Sequence, residues 1–329
     1  VACKTIFQEK YGGGEPTDVM VDAILEEMNK YDCKRIIAVG GGTIIDISKI
    51  MCLEGAVSSD ALYDKKELVK AKELIIIPTT CGTGSEVTNI AIVNRTKLGT
   101  KQGLTSQNMY ADHAVLIPEF LHSLPYGVFA TSSIDALIHA VESYLGPFST
   151  RTTEIFAVKA MQMILGGYCR IALNGPDARV ADSEEYLIAS NYAGIAFGNN
   201  GCAAVHAMSY AFGGKYHVAH GESNYQFFTD VLEVYNKKQP GGKIQEIMDM
   251  IVDICEANGF AANGRNGIEV LTDLLEKVLH KKPMSEYGAV QDDIRPFAES
   301  TVANQQRLLK NNYVPLSVDE IEAIYQARL

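Results

Sequence analysis

An aspartate and several histidines in the second half of the chain are the residues whose types and spacing point most directly to chemistry. Asp135 and His139 are four residues apart, so on a helix their side chains share one face, with Cβ atoms about 5–6 Å apart. A carboxylate and an imidazole placed this way can hold one cation, although a helical hydrogen bond is the more common use of such a pair. His206, His217 and His220 offer further nitrogen donors downstream. A core histidine is the competing interpretation of His206.

Two turns of small residues in the first half are candidate sites for a phosphate-bearing ligand. Gly40–Thr43 follows the apolar run Arg35–Val39 and opens a helical pattern, so backbone N–H groups and a helix N-terminus would meet an anion there. Pro78–Glu86 follows the next apolar run, Leu74–Ile77, and adds hydroxyl groups. Turn and capping chemistry explains either segment alone. Both together, at the carboxyl ends of two strands, favour a nucleotide.

The elements that must position these groups differ between the two parts of the chain. From Cys3 to about Pro118, short β-branched runs alternate with helical patterns, which is typical of an α/β fold with a parallel sheet. After Glu119 the apolar residues recur at helical spacing, which predicts an all-α part. The predicted strands are Thr5–Phe7, Arg35–Val39, Leu74–Ile77 and Ala114–Ile117, with a hairpin of Asn89–Val93 and Gly103–Thr105 between the last two.

Composition excludes several classes of protein. The 329 residues carry 40 Asp and Glu against 29 Lys and Arg, a formal net charge of −11. Without clustered basic residues, nucleic acid and anionic membrane are not expected as partners. The apolar runs are short of the roughly 20 residues that a membrane span needs. Seven scattered cysteines without a C-x-x-C pair are typical of reduced thiols, so we expect a cytoplasmic protein.

Four motifs together resemble the iron-containing, or group III, alcohol dehydrogenases, over nearly the whole chain. They are Gly40-Gly41-Gly42-Thr43-x-x-Asp46, the run from Pro78 to Thr88, Asp135-Ala-Leu-x-His139-Ala-x-Glu142, and His206 with His220-Gly221. The resemblance implies a Rossmann-like α/β dinucleotide-binding domain over residues 1–118 and an all-α metal-binding domain over residues 119–329. Because family members run longer, we expect that the first domain lacks its N-terminal strands.

The resemblance also implies roles for individual residues. The metal ligands are expected to be Asp135, His139, His206 and His220, a donor set that suits Fe(II) and would accept Zn(II) or Mn(II). The expected cofactor is NAD, with NADP left open. Its phosphates are expected to contact Gly41, Gly42 and Thr43, and its nicotinamide and ribose to contact Thr79, Thr80, Thr83 and Thr88. Lys101 is expected to contact the cofactor as well. Many members have a second histidine where this chain has Tyr210. We therefore predict that His217 relays protons, with a solvent-facing loop histidine as the alternative.

The implied reaction is the reversible oxidation of a small alcohol, with 4-hydroxybutyrate and succinate semialdehyde as the expected pair. Lys215 and Arg151 are the candidates in the sequence for binding a substrate carboxylate, with surface solvation as the alternative for each. A homodimer is expected. Three other interpretations stay open. The substrate could be another alcohol, a diol or lactaldehyde, or the chain could be a zinc enzyme like glycerol dehydrogenase, as His220-Gly221-Glu222 suggests. The third is a non-catalytic nucleotide- or metal-binding module.

Overall fold

The computed structural model describes residues 3–329, apart from the side chain of Thr100. Its first part contains a parallel sheet in the order β1-β2-β5 and an antiparallel hairpin of β3 and β4. The strands are β1 (Arg35–Gly40), β2 (Glu73–Pro78), β3 (Ile90–Arg95), β4 (Thr100–Thr105) and β5 (His113–Ala114), and the helices of this part are α1 (Asp18–Met28), α2 (Gly42–Met51) and α3 (Ser59–Tyr63). Alternate residues of β1 and β2 are buried, which matches a sheet that packs on a hydrophobic core.

The second part is built from ten helices. They are α4 (Tyr126–Leu145), α5 (Arg151–Asn174), α6 (Ser183–Asn200), α7 (Ala204–Tyr216), α8 (His220–Lys238), α9 (Lys243–Ala257), α10 (Gly267–Val278), α11 (Gln291–Asn304), α12 (Gln306–Leu309) and α13 (Val318–Ala327). Their apolar faces meet in a second hydrophobic core, which includes the fully buried side chains of Tyr168, Tyr186 and Tyr325. The predicted fold class, a parallel α/β part followed by a helical part, is confirmed.

Two of the predicted strands are wrong in whole or in part. Thr5–Phe7 has no strand partner among the described residues and leads into a 3₁₀ turn at Gln8–Lys10; Ile6 packs on the first core. The strand predicted at Ala114–Ile117 is only the pair His113–Ala114, because the chain turns into a 3₁₀ helix at Pro118. Apolar and β-branched residues mark a buried segment, but a strand also needs a neighbour with which to pair.

The helix α5 is long and apolar enough, by length and composition, to cross a membrane. In the structure it packs between other helices of the second core, and 56% of its most apolar 18-residue window is buried. The helix therefore has the surroundings of a core helix. A core helix can be as long and as apolar as a helix that spans a membrane.

Close packing of two glycines joins the two parts of the fold. Gly84 follows β2 in a left-handed conformation, with φ of 54°, and a Cβ atom there would lie 2.5 Å from the Cα of Gly194 on α6. Nearby, Asn191 Nδ2 donates a hydrogen bond of 3.0 Å to Glu86 Oε1. The loop after β2 is thus held against α6 by a contact that leaves no room for a side chain.

We predict that Gly84→Ala lowers the free energy of unfolding by about 2–4 kcal/mol, because the new methyl group adds overpacking to an unfavourable backbone conformation. Denaturant unfolding followed by circular dichroism measures this. The matched control is Gly127→Ala in the first turn of α4, where a Cβ would meet nothing within 4 Å. An equal loss of stability in both variants would contradict the packing argument.

Candidate metal and cofactor site

A cavity of about 430 Å³ is lined by residues from both parts of the fold. Residues predicted to bind the nucleotide and residues predicted to bind the metal share it. From the first part these are Gly42, Thr43, Thr83, Thr88 and Lys101, and from the second part Asp135, His139, His206 and His220. The fold therefore brings together one set of residues from positions 42–101 and another from positions 135–220.

The two turns of small residues lie side by side because β1 and β2 are neighbours in parallel register, with Gly40 opposite Pro78. A Cβ on Gly42 would be 2.9 Å from Thr83 Cγ2, so the second turn packs directly on the first. The helix α2 begins at Gly42, and the first N–H groups of a helix lack partners within it. Thr43 Oγ1 donates to the carbonyl of Gly14 at 2.9 Å. Backbone N–H groups are therefore the donors available to an anion here.

Not all of the predicted cofactor residues line the cavity. Thr79 and Thr80 lie behind the glycine turn, where the Thr79 N–H donates to the Gly40 carbonyl at 3.0 Å and a Cβ on Gly41 would be 3.3 Å from Thr80 Cγ2. These two threonines support the shape of the turn. Lys101, which does line the cavity, forms an ion pair of 2.5 Å with Glu15.

A buried lysine holds the cofactor side of the cavity together. Lys49 Nζ donates to Ser85 Oγ at 2.6 Å, to Thr88 Oγ1 at 3.0 Å and to the Ile90 carbonyl at 2.8 Å, and it lies 3.7 Å from Asp46 Oδ1. Burial lowers the pKa of Lys49, and the charge of Asp46 acts against this. These bonds tie α2, the loop after β2 and the hairpin into one rigid frame.

The metal candidates come from three helices. Asp135 and His139 share one face of α4, His206 lies on α7, and His220 is the first residue of α8. Asp135 Oδ1 is 3.6 Å from His206 Nε2 and 3.8 Å from His220 Nε2, and Asp135 Oδ2 is 4.0 Å from His139 Nδ1. The His139 ring stacks on the rings of His206 and Phe197, with centroids 4.6 Å and 4.1 Å away.

Acceptors around the cluster set the orientation of two of these rings. Glu142, one helical turn beyond His139 on α4, accepts from His206 Nδ1 at 2.6 Å. The Gly82 carbonyl accepts from His139 Nδ1 at 3.2 Å. Because both acceptors can only take a proton from Nδ1, the neutral form of either ring has its lone pair on Nε2, where a cation could bind.

The electrostatics of the cluster and one buried nitrogen without a hydrogen-bond partner both favour binding of a cation. Burial alone would raise the pKa of Asp135, but its interactions with His139, His220 and His206 outweigh burial and hold that pKa below its usual range. Burial lowers the pKa of His220 to about 4, so this imidazole is neutral at physiological pH. His206 Nε2 is buried without a hydrogen-bond partner in the described chain. An unsatisfied buried nitrogen is unfavourable by about 1–3 kcal/mol unless a ligand takes it up.

Three sequence-based candidates do not reach the cluster. His217 caps the end of α7 in a left-handed conformation, is exposed and is not among the residues that line the cavity, so its predicted role as a proton relay lacks geometric support. Lys215 forms an ion pair with Asp293, and Arg151 is an exposed first residue of α5. Neither residue lines the cavity.

The site contains functional candidates that the sequence reasoning missed. Glu142 was visible as part of a motif, and its position seven residues after Asp135 could have placed it on the same helical face. Glu142 stands behind His206 and does not line the cavity, whereas Cys202 and Arg307 do line it, and nothing in the local sequence of these two distinguishes them. Arg307 belongs to the short helix α12 and lies far along the chain from His220, the nearest of the histidine candidates in sequence.

Comparisons with known proteins agree with the geometry. Residues 3–118 match the family model "Iron-containing alcohol dehydrogenase", and residues 129–329 match "Fe-containing alcohol dehydrogenase family, C-terminal". The 4-hydroxybutyrate dehydrogenase of Clostridium kluyveri is 49% identical over 322 residues, which cover 98% of this chain and 85% of that protein.

Two solved structures share the fold. An archaeal halo-thermophilic alcohol dehydrogenase from a Red Sea brine pool has a TM-score of 0.82 at 22% identity, over 97% of this chain and 83% of its own. A sulfoacetaldehyde reductase from Bifidobacterium kashiwanohense, solved in complex with NAD+, has a TM-score of 0.80 at 24% identity, over 97% of this chain and 82% of its own.

We predict that Glu142→Gln weakens binding of a divalent cation by about 10- to 100-fold, the usual effect of losing the acceptor that orients a histidine ligand. A titration against a chelating indicator measures the affinity. The control is Glu246→Gln, which removes a carboxylate that accepts from Tyr144 and lies outside the cavity lining. Unchanged affinity in Glu142→Gln would show that metal binding by His206 does not depend on the Glu142 carboxylate.

Proposed function

Since the chain belongs to the iron-containing alcohol dehydrogenase family, we propose that it catalyses the reversible oxidation of 4-hydroxybutyrate to succinate semialdehyde, with Fe(II) in the cluster of Asp135, His139, His206 and His220 and with NAD as the hydride acceptor. The observation that carries the proposal is the single cavity that these four donors share with the glycine turn. The 49% identity to a 4-hydroxybutyrate dehydrogenase supports the choice of substrate.

The donor set suits the metal. One carboxylate oxygen and three imidazole nitrogens bind Fe(II) well and also accept Zn(II) or Mn(II). When bound, such a cation supplies Lewis acidity, which makes the alcohol proton easier to remove and polarises the aldehyde carbonyl in the reverse direction. Asp135 contributes a negative charge, and His139 and His206 are held in place from behind by Gly82 and Glu142.

The cofactor side of the cavity supports NAD binding with its pyrophosphate at the start of α2. The backbone N–H groups there, beginning at Gly42, meet the negative charge, and the positive end of the helix dipole adds to the attraction. Thr83 and Thr88 line the cavity between this turn and the histidines, so they suit the ribose and nicotinamide. NAD bound there would supply C4 of its nicotinamide as the acceptor of the hydride.

Arg307 supports a carboxylated substrate. It lines the cavity together with His220 and Tyr210, and the Tyr210 ring centroid is 6.2 Å from that of His220. Burial raises the pKa of Tyr210, and the charge of the nearby Arg307 acts against this. No carboxylate of residues 3–329 forms an ion pair with the Arg307 guanidinium. An arginine in the wall of this cavity can pair with the carboxylate at the far end of a four-carbon hydroxy acid.

The function is tested by anaerobic purification, metal analysis and an assay of succinate semialdehyde reduction with NADH and with NADPH. We expect Fe(II)-loaded protein to oxidise NADH, seen as loss of the reduced-nicotinamide absorbance, and chelation to abolish the activity. Faster turnover of butanal or propanediol than of the C4 acid pair would overturn the substrate assignment. No turnover with any of Fe(II), Zn(II) or Mn(II) would overturn the enzyme proposal.

We predict that Arg307→Gln lowers kcat/KM for succinate semialdehyde by about 10- to 100-fold, since a hydrogen bond to a charged group contributes about 1.5–3 kcal/mol. Turnover of butanal, which has no carboxylate, should stay within about twofold, because the loss is confined to that one bond. The control is Lys215→Gln, whose ammonium already pairs with Asp293. An equal loss for both aldehydes would assign Arg307 a structural role instead.

A further inference from the structure

We propose that Cys202 is a further donor to the metal, so that His139, Cys202 and His206 form a softer donor face beside the one made by Asp135, His206 and His220. The proposal concerns only the metal centre of the proposed function and is independent of the substrate. It predicts a thiolate in the coordination shell of a site whose expected ligands are all oxygen and nitrogen.

The geometry places the thiol among the ligand atoms. The candidate donor atoms of His139, Cys202 and His206 all lie within 4.8 Å of one another, and all three residues are buried. A second group with the same spacing, Asp135, His206 and His220, shares His206 with the first. His206, whose Nε2 atom has no hydrogen-bond partner in the described chain, is thus the residue common to both groups.

The backbone around Cys202 holds the thiol in this position. Gly201 ends α6 with φ of 83°, and the Ala203 N–H donates to Glu142 Oε2 at 2.9 Å. On the other side, Asn311 Nδ2 donates to the Cys202 carbonyl at 2.8 Å. Because Glu142 also accepts from His206, one carboxylate fixes the histidine and the segment that carries the cysteine relative to each other.

The position of Cys202 has a consequence for metal preference. Thiolate ligands favour soft or borderline ions such as Cd(II) and Zn(II), whereas carboxylate ligands favour hard ions such as Mn(II). The group that contains Asp135 offers a carboxylate to hard ions, and the group that contains Cys202 offers a thiolate to softer ions. We therefore expect Cys202 to raise the affinity for thiophilic ions selectively.

The test is the absorption spectrum of the Co(II)-loaded protein. We expect a sulfur-to-cobalt charge-transfer band in the near ultraviolet in addition to the weaker visible bands of Co(II). Cys202→Ser and Cys202→Ala should lose the charge-transfer band and keep the visible bands. The matched control is Cys81→Ser, since Cys81 is also buried but does not line the cavity, and its sulfur lies 3.7 Å from Ser132 Oγ.

A second measurement compares affinities for Cd(II) and Mn(II). Cys202→Ser should weaken Cd(II) binding by at least about tenfold, because it removes the thiolate that would contact the metal. Mn(II) binding should stay nearly unchanged. Visible Co(II) bands without a charge-transfer band in the wild type, or a band that persists in Cys202→Ser, would overturn this proposal and leave the metal centre intact. Absence of any Co(II) uptake would overturn the metal centre itself.

Discussion

The buried carboxylate of Glu142 is the group on which the rest of the site depends. It accepts from two backbone N–H groups at the start of α7, those of Ala203 and Val205, and from the His206 ring, at 2.6–2.9 Å. Its negative charge thus meets the positive end of a helix dipole. Since Glu142 stands on α4 with Asp135 and His139, this one side chain sets the position of α7, and with it His206, relative to the other two candidate ligands.

The cofactor side has its own buried ion, of opposite sign. Lys49 has no solvent exposure and joins α2 to the loop after β2 and to the hairpin through three hydrogen bonds. A charge so deeply buried is tolerated only because the N–H groups of the ammonium donate to acceptors that are held in fixed positions. The cavity therefore lies between two frames, each built around one buried ionisable side chain, and Gly84 packs on Gly194 where the frames meet. The way the frames pack matters for hydride transfer, because its rate falls steeply when donor and acceptor are misplaced.

The wrong predictions share a cause. Thr5–Phe7 and the end of the strand at Ala114–Ile117 have strand-like composition, but whether such a segment becomes a strand depends on a neighbour that is remote in sequence. Lys215 and His217 were chosen because they are near His220 along the chain. Neither residue lines the cavity, so proximity to His220 along the chain did not place them at the site.

The sequence by itself determined the features that depend on local geometry: the alternation of strands and helices, the glycine turn before α2, and the pairing of Asp135 with His139 on one helical face. These follow from repeats of about 3.6 residues and from the freedom of glycine, which act over a few residues. Only the tertiary structure decided that Cys202 stands beside His139 and that Arg307 faces the same cavity. Such contacts depend on how whole helices pack against one another, and no short-range pattern in the chain encodes that arrangement.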